Sequence, residues 1–103
     1  LIPPAVTPAQ ANLLYASEAD LLNVALFGQT AKQWRDAHPD AKGNVRDDAT
    51  LEQLVVLTNL ESINSVLVRQ GLPQPERLIK LNEIAITQMR TLLAEPNLKR
   101  LKA

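Results

Sequence analysis

The fold is decided by residues 51–93, which read LEQLVVLTNLESINSVLVRQGLPQPERLIKLNEIAITQMRTLL. In the first half, apolar residues recur at alternating spacings of four and three, the period of one helix face, at Val56, Leu60, Ile63 and Leu67. The second half repeats the pattern at Leu78, Leu81, Ala85, Met89 and Leu92. Because only the turn 71–74 separates the halves, we predict an antiparallel helical hairpin.

The first helix of this hairpin is apolar on more than one side. Leu57 and Val68 widen its main stripe, and Val55 and Val66 flank the other side. A wide apolar arc is typical of a central helix with neighbours on several sides. On the second helix, Asn82 falls inside the apolar stripe and Ile84 falls on the polar side, which predicts a buried amide and an exposed apolar side chain.

Capping signals before residue 51 predict three shorter helices. Thr7, Ser17 and Thr30 are helix N-caps, and Gln10 and Gln33 complete capping boxes. We therefore expect a first helix from Pro8 toward Ala16, a second ending at Gly28, and a third ending before His38. Thr50 caps the fourth helix, which we expect to end at Gln70, and the fifth begins near Pro75.

These elements predict one all-α domain over residues 1–103, a compact arrangement of about five helices with a central hairpin of the fourth and fifth. Pro3 and Pro4 favour an extended arm over residues 1–7. Residues 39–49 have no periodicity and are expected to form the longest loop. Residues 96–103 are expected to form one further helical turn or a frayed tail.

Composition limits the classes of function. Eleven basic and eleven acidic residues cancel and are scattered, so net charge does not attract polyanions. The absence of cysteine excludes disulfides and thiolate metal sites and favours a reducing cytoplasm. The apolar runs are too short to span a bilayer, so we predict no membrane partner. Because the chain begins at Leu1, we expect it to be part of a longer protein.

The polar candidates do not combine into a predicted active site. His38 is the only histidine, and with Asp36 and Asp40 it offers too few ligands for a metal. Asp47 and Asp48 are adjacent, but a catalytic acid and base need distinct environments within a pocket. A catalytic hypothesis would rest on these two carboxylates and Arg46 alone. We therefore predict no catalytic, metal-binding or cofactor-binding residues, and no cofactor.

Two other readings of the surface remain open. A protein interface through Val56, Leu60, Ile63, Leu67 and Ile84 would explain the excess of apolar residues on the hairpin. Alternatively, residues 18–37 have the outline of a helix-turn-helix, in which Lys32, Gln33 and Arg35 would contact nucleic acid. Trp34 between them is more typical of a core residue.

The chain also resembles a known family over most of its length. The matching stretches are, in order, YASEADLLNVALFG (15–28), TAKQWR (30–35), KGNVRD (42–47), EQLVVL (52–57), NLES (59–62), ERL (76–78) and LNEIA (81–85). Together they resemble the region that follows the DNA-binding domain in bacterial and phage KilA-N domain proteins. The polar loop residues Asn44, Arg46 and Asp47 belong to this pattern, whereas Asp48 stands where the family has an aromatic residue.

The resemblance implies an accessory carboxy-terminal domain, because the KilA-N domain that contacts DNA would lie before Leu1. From it we expect a non-enzymatic helical domain of a phage or prophage DNA-associated protein in the cytoplasm of a bacterial host. Its partner would be another protein or a second copy of itself, as in a homodimer. DNA would be bound mainly by the absent amino-terminal domain, with a secondary nucleic-acid contact through residues 18–37 as the alternative.

Overall fold

The computed structural model describes residues 2–94, which form five helices and no strand. The helices are α1 (Pro8–Ala11), α2 (Glu18–Phe27), α3 (Ala31–Ala37), α4 (Leu51–Arg69) and α5 (Gln74–Ala94). The predicted all-α class is confirmed. None of the helices in these residues is long and apolar enough to cross a membrane. The predicted tail at residues 96–103 lies outside the described residues.

Helices α4 and α5 form the predicted hairpin and pack closely along their lengths. Gln70 caps α4, and Gly71 adopts a left-handed conformation with φ of 78°. The Gly71 amide then donates to the Val68 carbonyl at 3.0 Å, and the Leu72 amide donates to the Leu67 carbonyl at 3.2 Å. These two bonds satisfy carbonyls that the helix end would leave free, and they fix the reversal that brings α5 back along α4.

Helix α2 lies across the hairpin and completes the core. Every residue from Leu21 to Leu26 is buried, which matches its apolar character all round the helix. The buried apolar residues that pack together are Tyr15, Leu21, Leu22, Val24, Ala25, Leu26, Val56, Leu57, Leu60, Leu78, Leu81, Ala85 and Met89. The core is therefore built from α2, α4 and α5, and α1 and α3 lie outside it.

The predicted helix starts are confirmed. Thr7, Thr30 and Thr50 each accept a hydrogen bond from the amide three residues on, and the glutamine at that position closes the box. Ser17 caps α2 in the same way without the return bond. Gly28 ends α2 with a φ of 78°. Local capping chemistry therefore defines these boundaries.

Helix α1 is shorter than predicted, because it ends at Ala11 and not near Ala16. The chain is instead held by Tyr15, whose amide donates to Gln74 Oε1 at 2.9 Å and whose hydroxyl donates to the Gln10 carbonyl at 2.8 Å. Gln74 Nε2 returns a bond to the Tyr15 carbonyl at 3.0 Å. These bonds to the start of α5 compete with continued helix, and tertiary contacts override local propensity here.

The extended arm is docked on the core by one buried side chain. Asn82 of α5 accepts from the Val6 amide at 2.9 Å and donates to the carbonyls of Pro4 and Ala25, both at 3.0 Å. The predicted buried amide at this position is confirmed. Asn82 thereby joins three segments that are distant in sequence: the arm, α2 and α5.

Replacing Asn82 tests how strongly this amide holds the arm. We expect Asn82→Ala to lower the free energy of unfolding by about 2 kcal/mol, because buried backbone groups lose their partners. Urea unfolding measures the loss, and hydrogen exchange should show a faster-exchanging Val6 amide. Lys80→Ala, on the exposed side of α5, should change stability by less than about 0.5 kcal/mol. An Asn82→Ala chain as stable as the parent would contradict this role.

Candidate functional site

The interface predicted on the hairpin is not available to a partner. Val56 and Leu60 are fully buried in the core between α4 and α5. Ile63 and Leu67 are half-buried against the same core, so the predicted stripe is the inner side of α4. Ile84 is also half-buried against the core, and the prediction that it is exposed was wrong. Helix α5, which carries Ile84, contacts both α2 and α4. A wider arc of its surface is therefore buried than in a pair of helices alone.

The opposite side of α4 is exposed and uncharged. Leu51, Val55 and Val66 are 71%, 45% and 52% exposed. With 3.6 residues per turn, these three residues lie within an arc of about 100° of the helix surface. The same arc contains the small polar residues Thr58, Ser62 and Ser65. We call this arc the outer α4 face; its members are Leu51, Val55, Thr58, Ser62, Ser65 and Val66, all of them exposed.

The exposed side of α5 has a different character. Its exposed residues include Glu76, Lys80, Glu83 and Arg90. Such a mixture of charges is typical of the solvent-exposed side of an amphipathic helix. Charged residues on α4 lie beside the outer α4 face or at its end, at Glu52, Glu61 and Arg69. The two long helices of one hairpin therefore expose surfaces of different chemistry, and only that of α4 resembles the centre of an interface.

The sequence contained a signal for this face. Val55 and Val66 are apolar residues on the second side of the helix, and this pattern predicts a helix with neighbours on several sides. Hydropathy alone does not distinguish a second buried side from an exposed apolar side, because both give the same pattern. The position of α2 decides between them, and α2 covers the other side.

The polar loop has a structural arrangement. Asp47 Oδ2 accepts from the Asn44 amide at 2.9 Å, and Asn44 Oδ1 accepts from the Arg46 amide at 2.8 Å. Arg46 Nε donates to the buried Asn23 Oδ1 of α2 at 3.2 Å. Gly43, with φ of 97°, lies so close to Asp47 that a Cβ there would be 2.4 Å from Oδ2. Asn44, Arg46 and Asp47 thus shape the loop, and Arg46 attaches it to α2.

The catalytic grouping is not assembled by this geometry. Asp47 and Asp48 are both exposed, so their environments do not differ as an acid and base require. Arg46 is directed to Asn23, away from them. His38 stacks on Trp34 with ring centroids 4.5 Å apart, and its Nδ1 lies 2.8 Å from the Trp34 carbonyl oxygen. Trp34 is buried, as predicted, but outside the main core.

Metal ligands are equally dispersed. Within residues 2–94, no three histidine or acidic side chains are grouped closely enough to hold an ion.

The residues of the nucleic-acid hypothesis lie on the exposed side of α3. Lys32 Nζ pairs with Asp36 Oδ2 at 3.0 Å, so its charge is compensated within the helix. Gln33 Oε1 accepts from the Thr30 amide at 2.8 Å and is engaged in the helix cap. Arg35 is exposed. The three side chains share a helix, but two of them already have intramolecular partners.

One polar cluster was missed in the sequence. Arg77 is a buried arginine at the start of α5, and its guanidinium donates to both carboxylate oxygens of Glu18 and, at 3.0 Å, to Asn64 Oδ1. Its Nε donates to the Leu72 carbonyl at 2.9 Å, and Asn64 Nδ2 donates to Glu18 at 2.8 Å. The cluster joins the first turn of α2, the middle of α4 and the hairpin turn. No local sequence pattern predicts this cluster, because Glu18, Asn64 and Arg77 are far apart in sequence.

Hydrogen bonding from Arg77 lowers the pKa of Glu18 below its ordinary value of 4.5, against the opposing effect of burial. A perturbed carboxyl is a candidate for function, but structural ion pairs cause the same shift. Here the polar atoms are bonded to one another, and no buried side-chain nitrogen or oxygen in the described part of the chain lacks a partner. The cluster therefore acts as a polar junction of three elements.

Comparison of the chain with protein-family models, with curated proteins and with solved structures finds no match.

The polar junction predicts how stability depends on pH. Because the pKa of Glu18 is lower in the folded chain, its contribution is fully present above about 4.5, the ordinary value, and is lost as the pH falls toward the folded pKa. We expect Glu18→Gln to be less stable than the parent near neutral pH, with the difference shrinking below pH 4.5. Urea unfolding across this range measures it.

Glu83→Gln removes an exposed carboxylate from α5 and controls for the change in net charge. A stability difference between Glu18→Gln and the parent that is constant with pH would contradict the assignment.

Proposed function

We propose that this chain is a non-enzymatic helical domain that mediates protein association through the outer α4 face. The observation that carries the proposal is an exposed surface without charge, partly apolar, between Leu51 and Val66 of a helix whose other side is already buried in the core. Leu51 and Val55, one turn apart, expose neighbouring apolar side chains, and exposed apolar patches are a feature of interaction sites. Depletion of charge at the centre is the compositional feature of interface cores.

The neutral charge balance of the chain agrees with a protein partner. With eleven basic and eleven acidic residues, two copies would not repel each other at long range. The rest of the surface lacks an assembled catalytic group or metal site within residues 2–94, and the cluster with a perturbed carboxyl has a structural explanation. These points favour association over catalysis.

The resemblance to the region after a KilA-N domain supplies the proposed context. It supports an accessory domain of a phage or prophage DNA-associated protein, in a bacterial cytoplasm, whose DNA contacts belong to another domain. Association through α4 would then bring DNA-binding domains together, because linking binding modules raises their effective concentration on one target.

The alternative is a secondary nucleic-acid contact through α3. It is favoured only by the exposure of Lys32 and Arg35, and the Lys32–Asp36 pair weakens it. If α3 contacts nucleic acid, the chain should bind DNA with an affinity that falls as the salt concentration rises. A Lys32→Ala, Arg35→Ala double variant should lose this binding. The absence of DNA binding by the chain in a titration at low salt would rule out this alternative.

A matched pair of substitutions tests the proposal. Val55→Glu and Ile79→Glu make the same kind of change at apolar residues that are 45% and 43% exposed, on α4 and α5 respectively. In sedimentation equilibrium up to about 1 mM, where an interaction of about 4 kcal/mol becomes visible, we expect the apparent mass of the parent and of Ile79→Glu to rise. Val55→Glu should remain monomeric, because its charge would be buried.

Equal behaviour of the two variants would contradict the proposal. For a different protein as partner, a photo-crosslinking side chain at position 55 should form adducts in host cells that the same group at position 79 does not. The absence of adducts at position 55, together with a monomeric parent, would overturn the association function.

A further inference from the structure

Resting on the proposed association function, we propose that the partner on the outer α4 face is a second copy of this chain. The two α4 helices would pair antiparallel about a two-fold axis between Thr58 and Asn59. Most homodimers have such an axis, and the same surface then serves both subunits. The outer α4 face would thus bind the same face of a second copy in an antiparallel orientation.

Four residues of the face form two symmetric pairs about that axis. Leu51 and Val66 are equidistant from it, as are Val55 and Ser62. In an antiparallel pair, each Leu51 would therefore contact the Val66 of the other copy at both ends of the interface. Each Val55 would fit against the small Ser62 of the other copy.

Small residues at the middle of the face allow the helices to approach closely. Thr58 and Ser62 are exposed and short, and the Thr58 hydroxyl already donates to the Leu54 carbonyl at 3.0 Å. Its hydroxyl therefore brings no unsatisfied donor into the contact. Helices packed through small side chains have their axes near the lower end of the usual 8–10 Å range.

Charge distinguishes the antiparallel pair from a parallel one. The antiparallel pair brings the α4 end that carries Arg69 in one copy to the end preceded by Asp48 in the other, and both residues are exposed with no ion pair inside the described part of the chain. Glu52 lies at the level of the exposed, uncharged Ser65 of the other copy, so it meets no like charge there. A parallel pair would instead place each charge beside its own copy and align the helix dipoles unfavourably.

The size of the face predicts a weak dimer. Helix α4 is about 28 Å long at 1.5 Å per residue, and a helix contact about 10 Å wide is smaller than the roughly 800 Å² per partner of a standard interface. Association should therefore be reversible and depend on concentration. Attachment of the chain to another dimeric or DNA-bound module would strengthen it.

The absence of cysteine from the chain makes the register directly testable. Val55→Cys and Ser62→Cys introduce single thiols at exposed positions. Oxidised with copper–phenanthroline as an equal mixture, the two variants should form the mixed disulfide at least about fivefold faster than either variant alone forms its own. In the antiparallel pair, identical thiols of the two copies are offset by seven residues along the helix axis, about 10 Å. That distance is too long for a disulfide bond.

Thr87→Cys, on the exposed side of α5, gives the rate of random collisions, and circular dichroism confirms that each variant is folded. A mixed disulfide that forms fastest supports the register. Faster crosslinking of Val55→Cys with itself overturns it in favour of a parallel pair. If sedimentation shows a dimer that Val55→Glu abolishes, but all disulfides form at the Thr87→Cys rate, this register is wrong while the association function stands. A parent chain that stays monomeric removes the second copy as partner.

Discussion

A helix that is apolar on two sides can bury only one of them when its neighbours all lie on the same side, and α4 is in that position. Helices α2 and α5 both pack against the arc that contains Val56 and Leu60. The reversal at Gly71 fixes the direction from which α5 approaches. The arc that contains Leu51, Val55 and Val66 is left exposed as a result of the topology.

Buried polar groups decide which side of α4 is inward. The Arg77 guanidinium binds Glu18 of α2 and Asn64 of α4 together, and rotating α4 would remove Asn64 from this junction. Removing one partner from a buried arginine destabilises the fold, so the junction favours the rotation of α4 that keeps Asn64 inward. Asn82 performs a comparable task for the arm. Both polar contacts thus agree with the orientation that the apolar core adopts.

Much of the fold could be predicted from the sequence because its signals are local. The boxes at Thr7, Thr30 and Thr50 define helix starts, and Gly28 and Gly71 define helix ends, through bonds within a few residues. The length of α1 could not be predicted, because it is limited by bonds from Tyr15 to Gln74, 59 residues away. The assignment of Val56 and Leu60 to an interface failed for a related reason: periodicity shows that a face is apolar, but not which neighbour covers it.

The proposed meeting of two copies through the outer α4 face can be detected by a dilution series of proton–nitrogen correlation spectra from about 1 mM downward, the range in which weak dimers dissociate. The resonances of Leu51, Val55, Ser62 and Val66 should shift with concentration, while those of exposed α5 residues such as Lys80 and Thr87 should not. Spectra that are unchanged on dilution, or shifts confined to α5, would rule out this contact between copies.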